Sequence, residues 1–312
     1  MKTLKVLFIC RIDEREDFDT AEKMATSIMK ANSDSLECDY ARIEELVFSY
    51  DGSKLLVVNG VTKKDIADYD FVFFLGWFKD RQLEEVAHAA SLYLDNKDVP
   101  FINSELLKNR SRSKVSQYVH AALAGLKCTM PFVYSMNGEL LFDYMAQDLS
   151  KIGMPFIAKG PFASRGRDNF LVRSMEEFSE IIKATETSLV VQPWVPNDGD
   201  YRLIVLGDKV RIAIKRRSLN GGHTNNTSQG GTAAIEEISS LNPEMISDAL
   251  TIAKLIRREV TGVDMIIHSD TGEYHFLEAN NMPQLSTGVF TTEKAEAIGE
   301  YIREIVREKA EV

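Results

Sequence analysis

The sequence predicts a protein of mixed α/β and α+β class, assembled from two or three compact units. Three observations predict it. Residues 1–104 alternate apolar strand signals with helical ones, the order expected of a parallel sheet flanked by helices. Two later stretches read as β-hairpins, with apolar runs folded about Gly207-Asp208 and about Asp270-Thr271-Gly272. And 312 residues with 44% hydrophobic content make a chain long and apolar enough to bury more than one core.

Taken in order, Leu4–Cys10 is a continuous apolar run, as a strand buried on both faces should be. The opening MKTLKVLFIC has the outward look of an export signal. Its apolar core is short, however, and Arg11-Ile12-Asp13-Glu14-Arg15-Glu16 stands where a small-residue cleavage site belongs. Thr20–Ala31 carries Ala21, Met24, Ile28 and Met29 at helical spacing. Asp39–Ser49, Lys54–Asn59 and Tyr69–Leu75 read as strands, Gln82–Asp95 as a helix and Pro100–Ile102 as a short strand. No GxGxxG follows the first strand, so a dinucleotide site is not expected, and this part reads as a docking or substrate-holding unit. Asn103–Gly125 reads as helix throughout, with Lys114 in its Arg-rich polar segment, RSRSK.

Met130–Val195 reads as a small α+β unit with strands at Pro131–Tyr134, Phe156–Lys159 and Ser188–Gln192 and a helix at Ser174–Ala184. The loop from Gly160 to Asp168 is small and basic, able to fold over phosphates with backbone N–H groups and guanidinium forks, though it lacks the spacing of a Walker loop. Asp200–Arg217 is the first hairpin, and its geometry lets Arg202 and Arg216 converge near one end. Asn220–Gly231, NGGHTNNTSQGG, is a loop rich in glycine and side-chain amides; Pro243–Thr261 is an amphipathic helix, and Thr292–Val312 a closing one.

The second hairpin carries the chemistry. With its turn centred near Thr271, Asp264 lies across from Glu278, and alternation along a strand puts Asp264, Glu278 and Asn280 on one face. Two carboxylates held that close repel unless a cation sits between them. An oxygen-only ligand set suits a hard ion, and Mg²⁺ is the one that accompanies phosphate chemistry.

Composition removes several function classes. A net charge of −10 argues against a nucleic-acid binder that relies on phosphate contacts, although Lys209, Arg211, Lys215, Arg216 and Arg217 form a local basic cluster. No run of about 18 apolar residues occurs, so no membrane span is expected. Three widely spaced cysteines in no paired motif point to a reducing cytoplasm, without disulfides or zinc.

These signals stand in an order that resembles the ATP-grasp superfamily, within it the group of ribosomal-protein glutamate ligases and prokaryotic glutathione synthetases. The resemblance rests on Lys114 within N-S-x8-S-K, Lys159 in FIAKGP and the linker Gln192-Pro193-Trp194-Val195. It rests further on Asp200-Tyr201-Arg202, on Arg216, and on G-V-D with E-x-N at Asp264, Glu278 and Asn280. It covers roughly residues 100–290. Pro193 replaces an expected acid, and the loop Thr224–Gly231 keeps Asn226 and the paired glycines but loses an arginine.

The resemblance implies an ATP-grasp architecture: an N-terminal parallel α/β domain over 1–104, a linker helix and small central lid domain over 105–195, and a C-terminal mixed α+β domain over 196–312. It implies that Lys114 and Lys159 neutralise the phosphates of ATP, Pro193, Trp194 and Val195 cradle adenine, and Asp200 reaches the ribose. Asp264, Glu278 and Asn280 would hold Mg²⁺, or Mn²⁺ in its place, and Arg202, Arg216 and Asn226 would act on the reacting groups. Segment Ala163–Asp168 would close as a lid. The implied reaction is ATP-dependent joining of a carboxylate and an amine through an acyl-phosphate, with a small amino acid, a peptide or a protein tail as substrate. A kinase-like phosphotransferase and a non-catalytic nucleotide-binding regulator are the alternatives. Relatives of this kind pair or form tetramers, so a homo-oligomer is open. His223, beside the amide-rich loop, is the histidine expected near substrate; His88, His120, His268 and His275 are expected to be structural or exposed.

Overall fold

The computed structural model describes residues 3–10, 18–75, 81–107, 113–163, 168–218, 231–281, 283–285 and 288–311. The chain opens with β1 (Leu4–Cys10), α1 (Phe18–Ala31) and β2 (Leu36–Arg42). A 3₁₀ turn at Ile43–Glu45 leads to β3 (Leu46–Tyr50) and β4 (Leu55–Asn59), followed by β5 (Phe71–Leu75), α2 (Arg81–Asn96) and β6 (Phe101–Ile102). Strands β2-β1-β5-β6 form a parallel sheet in that order, and β3 pairs with β4 as a separate antiparallel ribbon. The single strand expected over Asp39–Ser49 is therefore two. Burial of Ile43 in the turn between them draws the backbone off the strand path.

A 3₁₀ turn at Ser104–Leu107 precedes α3 (Lys114–Leu123). The continuous helix expected over Asn103–Gly125 is not observed. Ser113 starts α3 as its N-cap, its hydroxyl accepting from the Ser116 N–H, which is why the regular helix begins at Lys114. Next come β7 (Val133–Ser135), α4 (Gly138–Gln147), β8 (Phe156–Lys159), β9 (Asn169–Val172), α5 (Met175–Ala184) and β10 (Leu189–Pro193). The second sheet has the order β7-β10-β8-β9 and is antiparallel throughout. Helix α4 was not anticipated, although Asn137 caps it by accepting from the Leu140 N–H.

The third sheet is built from β11 (Asp200–Leu206), β12 (Lys209–Arg217), β13 (Thr232–Glu236), β14 (Val260–Ile267) and β15 (Tyr274–Asn280). Its order is β13-β12-β11-β14-β15, all antiparallel. Helix α6 (Pro243–Leu255) comes before β14 and α7 (Thr291–Ala310) ends the chain. The helix expected over Pro243–Thr261 stops at Leu255, because Val260 and Thr261 already pair with Leu206 and Val205.

Alternation sorts the strands' side chains into cores. Leu203 and Val205 of β11 pack with α3 and α6, whereas Ile204 and Leu206 pack with α7. The α7 core continues into the first sheet through Val6, Phe8, Phe71 and Phe73. The second sheet keeps its own core, with Phe156, Ala158, Leu189 and Val191 against Leu141, Met145 and Phe178 of α4 and α5. Among the described residues no helix is long and apolar enough to cross a membrane. The three cysteines are free thiols, Cys10 and Cys128 buried and Cys38 half-buried.

Candidate active site

On the α7 face of the third sheet, the apolar residues of β11 and β12 give way at one end to a charged row. Register places Arg202 opposite Asp264 and Asp264 opposite Glu278, so three strands deliver three charges side by side. Arg202 donates from Nε and Nη2 to Asp264 Oδ1 and Oδ2 at 2.8 and 2.7 Å. Arg216 does the same to Asp200, at 2.8 and 2.6 Å, and its Nη2 lies 3.0 Å from Asp264 Oδ2. Asn280 Nδ2 donates to both Asp264 Oδ2 and Glu278 Oε1, each at 3.2 Å. A bulge between Asp264 and Met265 shifts the register there and helps aim Glu278 into the row.

Close packing behind the row depends on Gly262. A Cβ at that position would lie 2.4 Å from Pro283 Cβ and 3.3 Å from Arg202 Cδ. Gly262→Ala is therefore expected to cost about 1–3 kcal/mol in overpacking. Urea denaturation measures that loss. The displaced groups are Pro283 and Arg202, so the pairing of Arg202 with Asp264 is expected to shift as well.

Two lysines reach the row from other elements. Lys114, the first residue of α3, holds Glu278 Oε2 at 3.0 Å and donates to the Ala163 carbonyl at 2.5 Å, while its backbone N–H bonds to Pro161. Lys159 ends β8 with its Nζ 5.5 Å from the centre of the Tyr118 ring. Burial, followed by the charge of Lys114, lowers Lys159 to about 7. Burial alone would raise Asp264, but Arg202 and Arg216 outweigh it and hold the carboxyl below its ordinary range. Glu278 is likewise held low, Lys114 outweighing burial and the nearby Asp264. Asp200 goes the other way, since burial outweighs Arg216 and raises it.

The structure thus brings together Lys114, Lys159, Arg202, Arg216, Asp264, Glu278 and Asn280. Asp200 is also present, and both its oxygens accept from Arg216. The linker follows β10: Pro193 and Trp194 are half-buried, and Val195 is buried beside Met130 and Ile266. Asn226, along with His223, Thr224, Gly230 and most of the expected lid (Ser164–Arg167), lies outside the described residues. His268 is a turn residue, its Nδ1 accepting from the Asp270 N–H, and His88 Nδ1 contacts the Leu106 carbonyl.

Two buried polar residues at the site have no role in the sequence reading, Gln192 standing there only as the first position of the linker motif. Gln192 shares the β8–β10 face of Lys159, pairs in register with Ile157, and is 1% exposed with neither amide atom hydrogen-bonded. A glutamine interrupting the apolar run LVVQP was the available signal. Lys294 of α7 is 3% exposed, donates to the carbonyls of Gln284 and Val289, and is lowered to about 8 by burial and by Arg202 and Arg216. Five cations (Lys114, Lys159, Arg202, Arg216, Lys294) against three carboxylates (Asp200, Asp264, Glu278) leave two positive charges when every lysine is protonated. Such a surplus suits a polyanion.

The donor set also fits a hard divalent cation. Asp264, Glu278 and the Asn280 amide meet within hydrogen-bond reach and supply oxygen only, once the amide presents its carbonyl. Among the described residues no group of three or more His, Cys, Asp or Glu is placed to hold a metal, and the set here counts two carboxylates and one amide.

Two antiparallel sheets, with lysines from α3 and β8 brought to a row of paired carboxylates and arginines, are the arrangement of an ATP-grasp protein. The chain belongs to the RimK-like ATP-grasp domain family, whose model matches residues 141–305, a span from α4 to α7 that includes Lys159 through Asn280 but not Lys114. A probable alpha-L-glutamate ligase 2 of Shewanella sp. (strain W3-18-1) is 32% identical over 161 residues, 49% of this chain and 52% of that protein. The chain spans about half the length of the curated relatives it matches. Among solved structures, the ATP-grasp ligase PsnB with a phosphomimetic variant of its minimal precursor, Mg and ADP superposes with a TM-score of 0.70. The match has 15% identity and covers 96% of this chain and 98% of that one. A Chryseobacterium gregarium RiPP-associated ATP-grasp ligase, in complex with ADP and a leader and core peptide, gives 0.68 at 16% identity, covering 98% and 97%. These structures share the fold.

Proposed function

We propose that this chain is an ATP-dependent carboxylate–amine ligase, forming an amide or peptide bond and releasing ADP and phosphate. The observation that carries the reading is the meeting of Lys114 with Glu278 and of Arg202 and Arg216 with Asp264, side chains drawn from five different elements. Phosphoryl transfer asks a protein for alignment and charge compensation more than for covalent help. The surplus positive charge meets that demand.

In this reading Lys114 and Lys159 bind phosphate oxygens, and the linker Pro193–Val195 takes the adenine, with the unpartnered amide of Gln192 beside it. Asp264, Glu278 and Asn280 hold Mg²⁺, or Mn²⁺ in its place, which when bound neutralises charge on the terminal phosphates. Arg202 and Arg216, each anchored on a buried aspartate, offer their remaining N–H groups to the substrate carboxylate and to the phosphate that it accepts. The carboxylate oxygen attacks the terminal phosphorus and ADP leaves; the amine then attacks the acyl carbon and phosphate leaves. Neither step needs a nucleophilic serine or cysteine. The names of the relatives and of the bound peptides in similar structures support an amino acid or a peptide as substrate, and free cysteines support a cytoplasmic setting.

The test is ADP release with Mg²⁺ and ATP over a panel of amino acids and peptides, followed by mass spectrometry of the products. A new amide supports the ligase; a stable phosphorylated product would turn the reading to a kinase, and no nucleotide turnover with any acceptor would sink it.

A pH signature follows from Lys159. Bound phosphate favours the charged lysine, so its pKa rises from about 7 on binding and a proton is taken up. ATP affinity is accordingly expected to fall as pH rises above about 7, until the raised pKa of the complex is passed. Calorimetry in buffers of different ionisation enthalpy reads that uptake directly, and Lys159→Met should remove it.

A further inference from the structure

Among the described residues β15 is an edge strand, with no neighbouring strand along one side of its backbone. Helix α3 supplies the partner. Gln117 Oε1 accepts from the Ala279 N–H at 2.8 Å and Gln117 Nε2 donates to the Ala279 carbonyl at 3.1 Å, so one side chain reproduces both bonds of a strand pair. Arg258, 1% exposed and held by Glu105 at 3.0 Å, donates from Nη1 to the same carbonyl at 2.5 Å. Both lone pairs of that oxygen are thereby used. Tyr118 donates to the Leu277 carbonyl at 2.6 Å, and Thr261 to that of Asn280 at 2.8 Å.

The clamped residue, Ala279, is the one between the acid and the amide of the proposed cation site. Ala279 points into the core, while Glu278 and Asn280 flank it and project to the opposite face. Gln117 also lies one helical turn from Lys114, whose ammonium holds Glu278. A shift of α3 against β15 would therefore move the lysine and both oxygen ligands relative to each other.

We propose that Gln117, backed by Arg258, is a positioning residue: it sets the spacing of Glu278 and Asn280 for a divalent cation and locks that spacing to Lys114. This rests on the metal-site reading above. Gln117 acts on the site through the backbone N–H and carbonyl of Ala279.

The test uses Mn²⁺ as the probe, bound by the full chain in the presence of ADP and followed by electron paramagnetic resonance. In parallel, calorimetry measures ADP binding without metal. Gln117→Met keeps the length and volume of the side chain and loses both bonds; Gln117→Glu keeps only the acceptor for the Ala279 N–H. Mn²⁺ affinity is expected to fall at least tenfold in the Met variant and less in the Glu variant, with metal-free ADP affinity within twofold of the parent. Parent-like Mn²⁺ binding in a folded Met or Glu variant would overturn the proposal, as would an equal loss of metal-free ADP binding, which marks general damage to the cleft. If the parent chain itself fails to bind Mn²⁺ with ADP, the metal-site reading falls first and takes this inference with it.

Discussion

Glu278→Gln is expected to abolish ATP turnover while leaving the protein folded. The substitution keeps the size of the side chain and removes its charge. One oxygen of Glu278 holds Lys114 and the other meets the Asn280 amide. A glutamine sets an N–H against one of these donors and takes a negative ligand from the proposed cation. Loss of one preorganised charge contact at a reacting centre is typically worth on the order of 10²–10³ in rate. Here two functions fail together, so the effect should lie at or beyond the upper end. ADP release with Mg²⁺ and the best acceptor measures it, beside circular dichroism and a thermal midpoint. Turnover within tenfold of the parent would remove Glu278 from the site.

Arg216→Met should be the most destabilising of the changes considered. Its guanidinium is 5% exposed and serves two carboxylates, Asp200 with two hydrogen bonds and Asp264 at 3.0 Å. Removing it strands two buried acids, of which only Asp264 keeps a second arginine. Breaking one partner out of a buried ionic cluster costs about 3–5 kcal/mol. The sign of the pH dependence is fixed as well. Without Arg216 the folded-state pKa values of Asp200 and Asp264 rise, so the variant regains stability relative to the parent as pH falls and the acids protonate. Arg216→Lys restores charge but not the two-pronged geometry, and should recover only part of the loss. Urea titrations at neutral and acid pH settle both points; a loss below 1 kcal/mol, or a gap that widens in acid, would contradict the account.

Much of this arrangement was legible in the residues, for reasons that can be named. Asp264 and Glu278 pair as expected, but by a route the turn alone does not give: the pairs nearest the turn, Ile267 with Tyr274 and Met265 with Phe276, would set Asp264 against Leu277, and the bulge after Asp264 moves it onto Glu278. Leu4–Cys10 and Tyr69–Leu75 announce the parallel sheet because strands buried on both faces leave unbroken apolar runs. What stayed hidden depends on contacts between distant segments. Arg216 rests on Asp200 through the register of its own hairpin, but that Arg202 rests on Asp264, 62 residues further along the chain, is set by the pairing of β14 with β11, which no local pattern specifies. Gln117 looks like any polar helix residue until β15 is placed beside it. Helix α4 is hard to read because its apolar residues do not keep to one face: Leu141 and Met145 are buried, whereas Leu140 and Tyr144 are exposed. The strand over Asp39–Ser49 was overextended because β-propensity does not reveal a turn forced by burying Ile43.

Helix α7 has a mechanical consequence. Ile298, Tyr301 and Ile302 sit in a core that takes side chains from both the parallel sheet and β11–β12, and Asn32 of the first sheet's side bonds to Ala295 and accepts from Arg303. Those two sheets are welded along the helix into one stiff block. The β7-β10-β8-β9 sheet packs mainly on α4 and α5 and meets the β11 core through Val190, so a load that separates Lys159 from Asp264 is expected to act on that smaller contact before it acts on the welded block.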